Sequence, residues 1–192
     1  SERIIKSVNK QTQFVNQDYA EMIGFELEAR KNLSEYHPYL TGITVGANYT
    51  WLESEISVGA LESDLDGGGT RPLAGQSPYL FNFDVTYNNP YWGLTTSLFY
   101  NIYGERLDSV SLSTGKNSEG LNTGPPNIYE QPVGTLDFTL SKEFADHWTL
   151  KFSAKNLLDP AVEKTYNYKG KNYIYSSYNR GKSYSLSFGY SY

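Results

Sequence analysis

The sequence lacks several features on which catalytic, redox and metal sites depend. Cysteine is absent, which excludes disulfides and thiolate chemistry, and the 192 residues include only one methionine and two histidines. No segment approaches the roughly 18 consecutive apolar residues that a membrane-spanning helix needs. No basic run is present and the formal net charge is −5, so the composition argues against nucleic-acid binding.

Aromatic residues, by contrast, are abundant. The chain has 18 tyrosines and three tryptophans, and aromatics make up 16% of it. Such residues are typical of β-strands and of the belts at membrane–water interfaces.

The last segment, residues 179–192, shows the pattern most clearly. Large apolar or aromatic side chains alternate with small ones at every step. One parity holds Tyr184, Leu186, Phe188, Tyr190 and Tyr192, and the other holds Ser183, Ser185, Ser187, Gly189 and Ser191. Because a strand sends successive side chains to opposite faces, this segment has one apolar and one polar face. An outward apolar face and a polar lumen are typical of a transmembrane β-barrel.

About seven segments alternate in this way, and the connections between them alternate in length. The short connections are residues 34–39, 88–90 and 145–147, and the long ones are 58–77, 107–129 and 157–178. Outer-membrane barrels have short periplasmic turns and long outer loops. The sequence therefore predicts an all-β, antiparallel transmembrane β-barrel segment of about seven to eight strands, with the long loops outside and the carboxyl terminus in the periplasm.

The size of the inward side chains predicts a barrel larger than this chain can build. An eight-stranded barrel is just wide enough for side chains to fill it, whereas the inward set here is rich in serine, threonine, glycine and asparagine. We therefore expect residues 1–192 to be the carboxyl-terminal portion of a larger barrel domain.

Four motifs in order resemble the carboxyl-terminal barrel of TonB-dependent outer-membrane receptors. They are Gly24-Phe25-Glu26-Leu27-Glu28, the segment 71–78 (RPLAGQSP), Asn156-Leu157-Leu158-Asp159, and Asn179-Arg180-Gly181 before the terminal aromatics. The chain departs from the family's usual terminal phenylalanine by ending in Tyr192.

The resemblance implies a function and a set of partners. It implies a barrel of about 22 strands around a plug domain, the plug being absent from this chain. It also implies uptake of an iron chelate, vitamin or glycan across the outer membrane of a Gram-negative bacterium, driven by the TonB complex through the plug. The partners would be outer-membrane lipid, the remaining barrel and plug segments, and the small-molecule or glycan ligand. A small structural or adhesive barrel without transport activity is the alternative.

Candidate ligand contacts lie in two of the long connections. They are Tyr166, Tyr168, Tyr173 and Tyr175 in the segment 157–178, together with Arg71 in the segment 58–77. Tyrosines beside polar groups suit stacking on sugars or on flat chelates. The alternative is that these tyrosines belong to strand extensions above the membrane and pack on neighbouring loops.

A second set of charged residues is predicted to face the lumen. Asp84, Asp137, Lys151 and Lys155 have the parity of the polar face, where they would line the barrel wall, contact the plug or form a ligand path. His37 and His147 fall in turns, and no arrangement of residues indicates a catalytic centre. The sequence thus predicts no enzyme activity, no cofactor and no metal.

One acidic segment has part of the pattern of a calcium-binding loop. Glu62, Asp64 and Asp66 precede Gly67 at the alternate spacing of calcium ligands, but the twelfth position would be Leu73, which has no ligating oxygen. An acidic solvated loop is therefore the favoured interpretation.

Overall fold

The computed structural model describes residues 19–58, 69–120, 122–145 and 147–191. The calcium-like segment, residues 1–8 and Tyr192 lie outside these ranges. The described chain is almost entirely strand, with three single-turn 3₁₀ helices, Leu33–Glu35, Pro38–Leu40 and Pro90–Trp92. Among the described residues, no helix is long and apolar enough to cross a membrane.

Eight strands form one antiparallel sheet, which we call the wall sheet. They are β1 (Ala20–Asn32), β2 (Ile43–Ser57), β3 (Thr70–Arg71), β4 (Tyr79–Asn89), β5 (Leu94–Tyr103), β10 (Val133–Phe144), β11 (Trp148–Lys155) and β14 (Ser183–Tyr190). Their order is β1-β2-β4-β5-β10-β11-β14, with β3 paired to β2. The predicted all-β meander with short turns is confirmed.

The wall sheet keeps one register across all seven strands of its main path, so its two faces stay chemically distinct. On one face, Ala47 lies opposite Phe83, which lies opposite Tyr100, which lies opposite Leu136. The same face continues through Leu140, Phe152 and Leu186. On the other face, Asn48, Asn82, Asn101 and Thr135 form one row across four strands. Phe99 breaks the pattern, because it lies on the polar face between Asp84 and Asp137.

The strand β14 is held to β11 by aromatic contacts and by the turn before β11. The Trp148 ring lies 4.7 Å from the Phe188 ring and 4.6 Å from the Tyr190 ring. The Ser191 amide donates to the His147 carbonyl at 2.9 Å. β14 thus pairs antiparallel with β11 along its whole length. Within the described residues, β1 and β14 lie at opposite edges of the wall sheet and each has one neighbouring strand.

The long connections contain strands that the sequence pattern did not predict. A four-stranded sheet, which we call the rim sheet, contains β6 (Arg106–Ser109), β9 (Ile128–Glu130), β12 (Ala161–Tyr168) and β13 (Lys171–Asn179). The pair β7 (Gly115–Lys116) and β8 (Asn122–Thr123) forms a small separate hairpin. Nearly all of 157–178 is therefore paired strand rather than loop, which agrees with the alternative that its tyrosines belong to strand extensions.

The rim sheet extends the wall beyond a belt of strand breaks. Its order, β6-β9-β12-β13, repeats the order β5-β10-β11-β14 of the wall strands to which its members are joined along the chain. β6 and β12 follow their wall strands, and β9 and β13 precede theirs. The breaks are residues 104–105, 131–132, 156–160 and 180–182. They contain Pro132 and Pro160, which cannot donate to a ladder, and the left-handed residues Asn156 and Asp159. The backbone conformation therefore ends each wall strand near the same level.

Among the described residues, five apolar side chains are buried, and four of them lie beside this belt. The five are Ile56, Leu107, Val133, Ala154 and Val162, which stand at the ends of wall strands or in rim strands. Many large apolar side chains are exposed, among them Leu98 on β5 and Leu186 and Phe188 on β14, and others on the sheet are only half-buried. A soluble sheet would cover that face with a second layer, so its exposure agrees with a lipid-facing surface.

A pair of substitutions on β14 tests the assignment of the two faces. In the barrel folded into bilayers, Leu186→Arg should lower the free energy of unfolding by about 2–4 kcal/mol, because a charge near the midplane must be desolvated. Ser185→Arg, one residue away on the polar face, should cost far less. Equal losses of folded protein for the two variants would contradict the assignment.

Candidate ligand-binding surface

A ladder of amide side chains crosses the polar face of the wall sheet. The Asn48 amide donates to the Glu26 carboxylate, the Asn82 amide donates to Asn48 at 3.4 Å, and the Asn101 amide donates to Asn82 at 2.5 Å. Each side chain lies on a neighbouring strand of the register. The polar face is therefore lined by groups that hydrogen-bond to one another and keep further donors and acceptors for a ligand or a protein surface.

An ion pair crosses the same face from β1 to β4. The guanidinium nitrogens of Arg30 lie 2.8 and 3.2 Å from the two carboxylate oxygens of Asp84. Gly46 lies between them on β2, and a Cβ atom there would approach the Asp84 carboxylate to 2.5 Å and the Arg30 guanidinium to 2.7 Å. A side chain at position 46 would therefore displace the ends of Asp84 and Arg30 from the place where they meet over the middle strand.

The predicted lumen residues share the polar face in the register but have different partners. Asp84 pairs with Arg30. Asp137 accepts a hydrogen bond at 2.8 Å from the backbone N–H of Asn156 at the strand break. Lys151 and Lys155 lie opposite Ser187 and Ser183 on β14. Asp84 and Asp137 thus have internal partners, and the two lysines pair in register with serines of β14.

The rim sheet carries a compact group of ions that we call the rim cluster: Arg106, Asp108, Glu130 and Lys164. Register places Arg106, Glu130 and Lys164 in one row across β6, β9 and β12. Arg106 lies 2.7 Å from the Glu130 carboxylate, and the Lys164 ammonium lies 2.7 Å from the Asp108 carboxylate. The Glu130 oxygen that binds Arg106 also accepts from the Tyr103 hydroxyl at 2.6 Å.

The pKa values of the rim cluster reflect this pairing. Burial alone would raise the pKa of Glu130, which is only 6% exposed, but hydrogen bonds from Tyr103 and Arg106 outweigh it and lower the pKa. Burial would also raise the pKa of Asp108, but hydrogen bonds from Lys164 and Ser109 outweigh it, so the pKa is lowered. The hydrogen bond to Asp108 raises the pKa of Lys164. Asp108, Glu130 and Lys164 are therefore charged at neutral pH, and each has its main partner within the cluster.

The four candidate tyrosines lie in the β12–β13 hairpin. Tyr166 and Tyr173 face each other across the hairpin, with ring centroids 5.5 Å apart and planes 18° apart. Tyr168 follows Tyr166 on the same face, and the Lys169 ammonium lies 5.3 Å from its ring centroid. Tyr175 is the extra residue of a β-bulge, where Lys164 pairs with Ser176 and Thr165 pairs with Ile174.

Arg71 does not belong to this hairpin. It lies in β3, which pairs with the end of β2, and its guanidinium donates to the Pro72 carbonyl at 3.2 Å. The tyrosines and Arg71 are thus on different sheets, and a ligand touching both would have to bridge β3 and the rim sheet.

The rim cluster was not predicted from the sequence. Its members are separated along the chain, at positions 106, 108, 130 and 164, and only the pairing of β6, β9 and β12 assembles them. Glu130 directly before Gln131-Pro132 marks the end of a strand, but nothing local indicates its partners. Within the described residues, no group of three or more histidine, aspartate or glutamate side chains is placed to hold a metal ion.

The fold defines this chain as part of an outer-membrane type of β-barrel. A family model described as "TonB dependent receptor-like, beta-barrel" matches residues 3–157. The chain therefore belongs to the TonB-dependent receptor-like β-barrel family, a family of receptors rather than of enzymes, and the predicted resemblance is confirmed.

A solved structure agrees with this assignment at the level of the fold. The crystal structure of the ferric citrate transporter FecA in the unliganded form is similar, with a TM-score of 0.63 and 16% sequence identity. The match covers 92% of this chain and 26% of that chain, so this chain spans about a quarter of its length. No curated protein matches the sequence.

The rim cluster predicts how the rim sheet responds to pH. The folded pKa values of Glu130 and Asp108 lie below their unfolded values of about 4, so their stabilisation is present above that range and is lost as pH falls through the folded values. Lys164 has a raised pKa, so its contribution is lost only as pH rises above about 10. The protection factors of the backbone amides in β6, β9 and β12, which correct exchange for its intrinsic pH dependence, should therefore fall below about pH 4.

Two variants distinguish the contribution of the rim cluster to stability from other effects of acid on the chain. Glu130→Gln should weaken the rim sheet by about 1–3 kcal/mol at neutral pH, because charged hydrogen bonds from Arg106 and Tyr103 lose their acceptor charge. In this variant the protection of the rim-sheet amides should change less between neutral pH and pH 4 than it does in the native chain. Glu163→Gln is the matched control, since Glu163 has only a 3.5 Å contact from Ser177, and it should behave like the native chain.

Proposed function

We propose that this chain forms barrel wall and outer loops of an outer-membrane uptake receptor for a small ligand. The observation that carries the proposal is the continuous separation of an apolar and a polar face across the wall sheet, in a chain of the TonB-dependent receptor-like family. The apolar face contacts lipid and the polar face borders the lumen. No catalytic step is assigned to the chain.

In this proposal the polar face has two roles. Its hydrogen-bonding rows, which include the amide ladder and the Arg30–Asp84 pair, contact a plug domain that fills the lumen. Lys151 and Lys155 lie opposite small serines of β14 and leave space for the ligand to pass when the plug moves. The TonB complex supplies the energy for that movement through the plug. The ligand is an iron chelate, a vitamin or a glycan.

The orientation follows from the unequal ends of the wall sheet. One end carries the short turns and 3₁₀ helices, and the other carries the rim sheet and the β7–β8 hairpin. We place the short turns and the carboxyl terminus in the periplasm and the rim sheet outside the cell, because outer-membrane barrels have their longer connections on the outer side.

Cysteine labelling on intact cells tests the orientation, since the chain has no cysteine of its own. Ser118→Cys at the exposed turn between β7 and β8 should react with a bulky, impermeant maleimide. Tyr91→Cys, in a turn where the native side chain is 97% exposed, should react only after the cells are broken. Reaction of Tyr91→Cys but not Ser118→Cys on intact cells would reverse the orientation.

Uptake measurements test the transport role. Cells that lack this protein should lose accumulation of one member of a panel of iron chelates, cobalamin and oligosaccharides, and cells that keep it but lack TonB should show the same loss. A structural or adhesive barrel would leave accumulation of every panel member unchanged in both strains. That outcome would reject the proposed function even if the labelling results agree with the orientation.

A further inference from the structure

We propose that the rim sheet binds an extended, neutral, polyhydroxylated ligand, an oligosaccharide, on the stacked rings of Tyr166 and Tyr173. This inference rests on the proposed function and narrows its ligand class. It depends on three observations: an aromatic surface on one face of the hairpin, neutralised ions below it, and the spacing of the aromatic side chains.

The aromatic surface is preformed. Tyr166 and Tyr173 stack across the hairpin, and the turn beyond them is closed by hydrogen bonds from the Asn167 amide to Asn172 at 2.8 Å and from the Gly170 amide to Asn167 at 3.2 Å. Tyr173 is 42% exposed, and within the described residues neither hydroxyl of the pair has a hydrogen-bond partner. Two ordered rings with free hydroxyls suit the apolar face and the hydroxyl edge of a sugar.

The ions beneath the tyrosines have little charge to offer a ligand. Lys164 precedes Tyr166 by two residues on the same face, but its ammonium is paired with Asp108, and Arg106 is paired with Glu130. Arg180 also lies close enough to influence Tyr103 at the base of the cluster, and Lys171 lies opposite Tyr168 near the hairpin tip. A polycarboxylate chelate needs several convergent unpaired cations, whereas the two cations nearest the ring pair along this row are already neutralised.

The spacing favours an extended ligand over a compact one. Tyr168 follows Tyr166 on the same face, and same-face side chains of a strand lie about 6.6 Å apart. A ligand that covers the stacked pair and reaches Tyr168 must continue along the hairpin. A chain of sugar rings meets that requirement, and a single small chelate does not.

Binding to the intact receptor in detergent, measured by calorimetry, tests the inference. The probes are neutral hexasaccharides of α-glucan, β-glucan, xylan and chitin, with ferric citrate as the polyanionic comparison. At least one hexasaccharide should bind, and its affinity should change less than about twofold between low and high salt, because no net ionic contact forms. Tyr173→Ala should weaken that binding about tenfold or more, as loss of a central tyrosine contact does.

The matched control is Ile174→Ala, one residue from Tyr173 on the opposite face and 61% exposed. It should leave sugar affinity within about twofold of the native value, since it keeps the ring pair and the hairpin pairing. Native-like proteolysis of the Tyr173→Ala barrel would show that it folds, and Tyr173→Phe should keep most of the stacking contact.

Three results would overturn the inference: no hexasaccharide binds, the bound sugar is indifferent to Tyr173→Ala, or ferric citrate binds with steep salt dependence that Tyr173→Ala removes. None of these results bears on the labelling or TonB-dependent uptake tests. A receptor that passes both of those tests while taking up a chelate would keep the proposed function and reject only the ligand class.

Discussion

The structure depends on a register that remains in phase across the wall sheet. Side chains alternate with a period of two, so a slip of one residue in any strand would move its apolar set to the polar face. The observed pairing avoids this from β1 to β14, and rows such as Ala47–Phe83–Tyr100–Leu136 result. In a bilayer this alignment is essential, because a slipped strand would place polar side chains in lipid and apolar side chains in the aqueous lumen.

The strand breaks separate the wall sheet, with its apolar and polar faces, from a charged rim sheet that is built from continuations of the same strands. At these breaks the backbone groups are satisfied locally: the Asn156 amide side chain donates to the Gly181 carbonyl at 2.8 Å, and Gly181 donates to Asp159 at 2.9 Å. Beyond them the same four strands pair again and bring Arg106, Glu130 and Lys164 into one row. Charges that would be costly at membrane depth are thus grouped in the rim, where they neutralise one another.

The wall was predictable from the sequence because its signal is local. The parity of residues 183–192, or of Phe81, Phe83, Val85 and Tyr87, is visible in a single strand. The resemblance to the family depends on four motifs in order, of which Asn156-Leu157-Leu158-Asp159 is one. The rim was not predictable in the same way. β6 and β9 have four and three residues, and β12–β13 mixes tyrosine, asparagine, lysine and serine on both faces, so no alternation distinguishes strand from loop. The ion pairs arise only when strands distant in sequence meet.

The Arg30–Asp84 pair explains a glycine, Gly46, whose role is visible only in the folded sheet. In the sequence, Gly46 looks like one more small residue of an inward-facing set, with no sign that its lack of a side chain matters. In the sheet it is the middle position of a three-strand row, and the two charged groups occupy the volume that its Cβ would fill. Arg30 and Asp84 therefore find their ionic partners within the wall sheet, and neither needs a partner across the lumen. The desolvation cost of each charge is thus offset by a partner on the same sheet, two strands away.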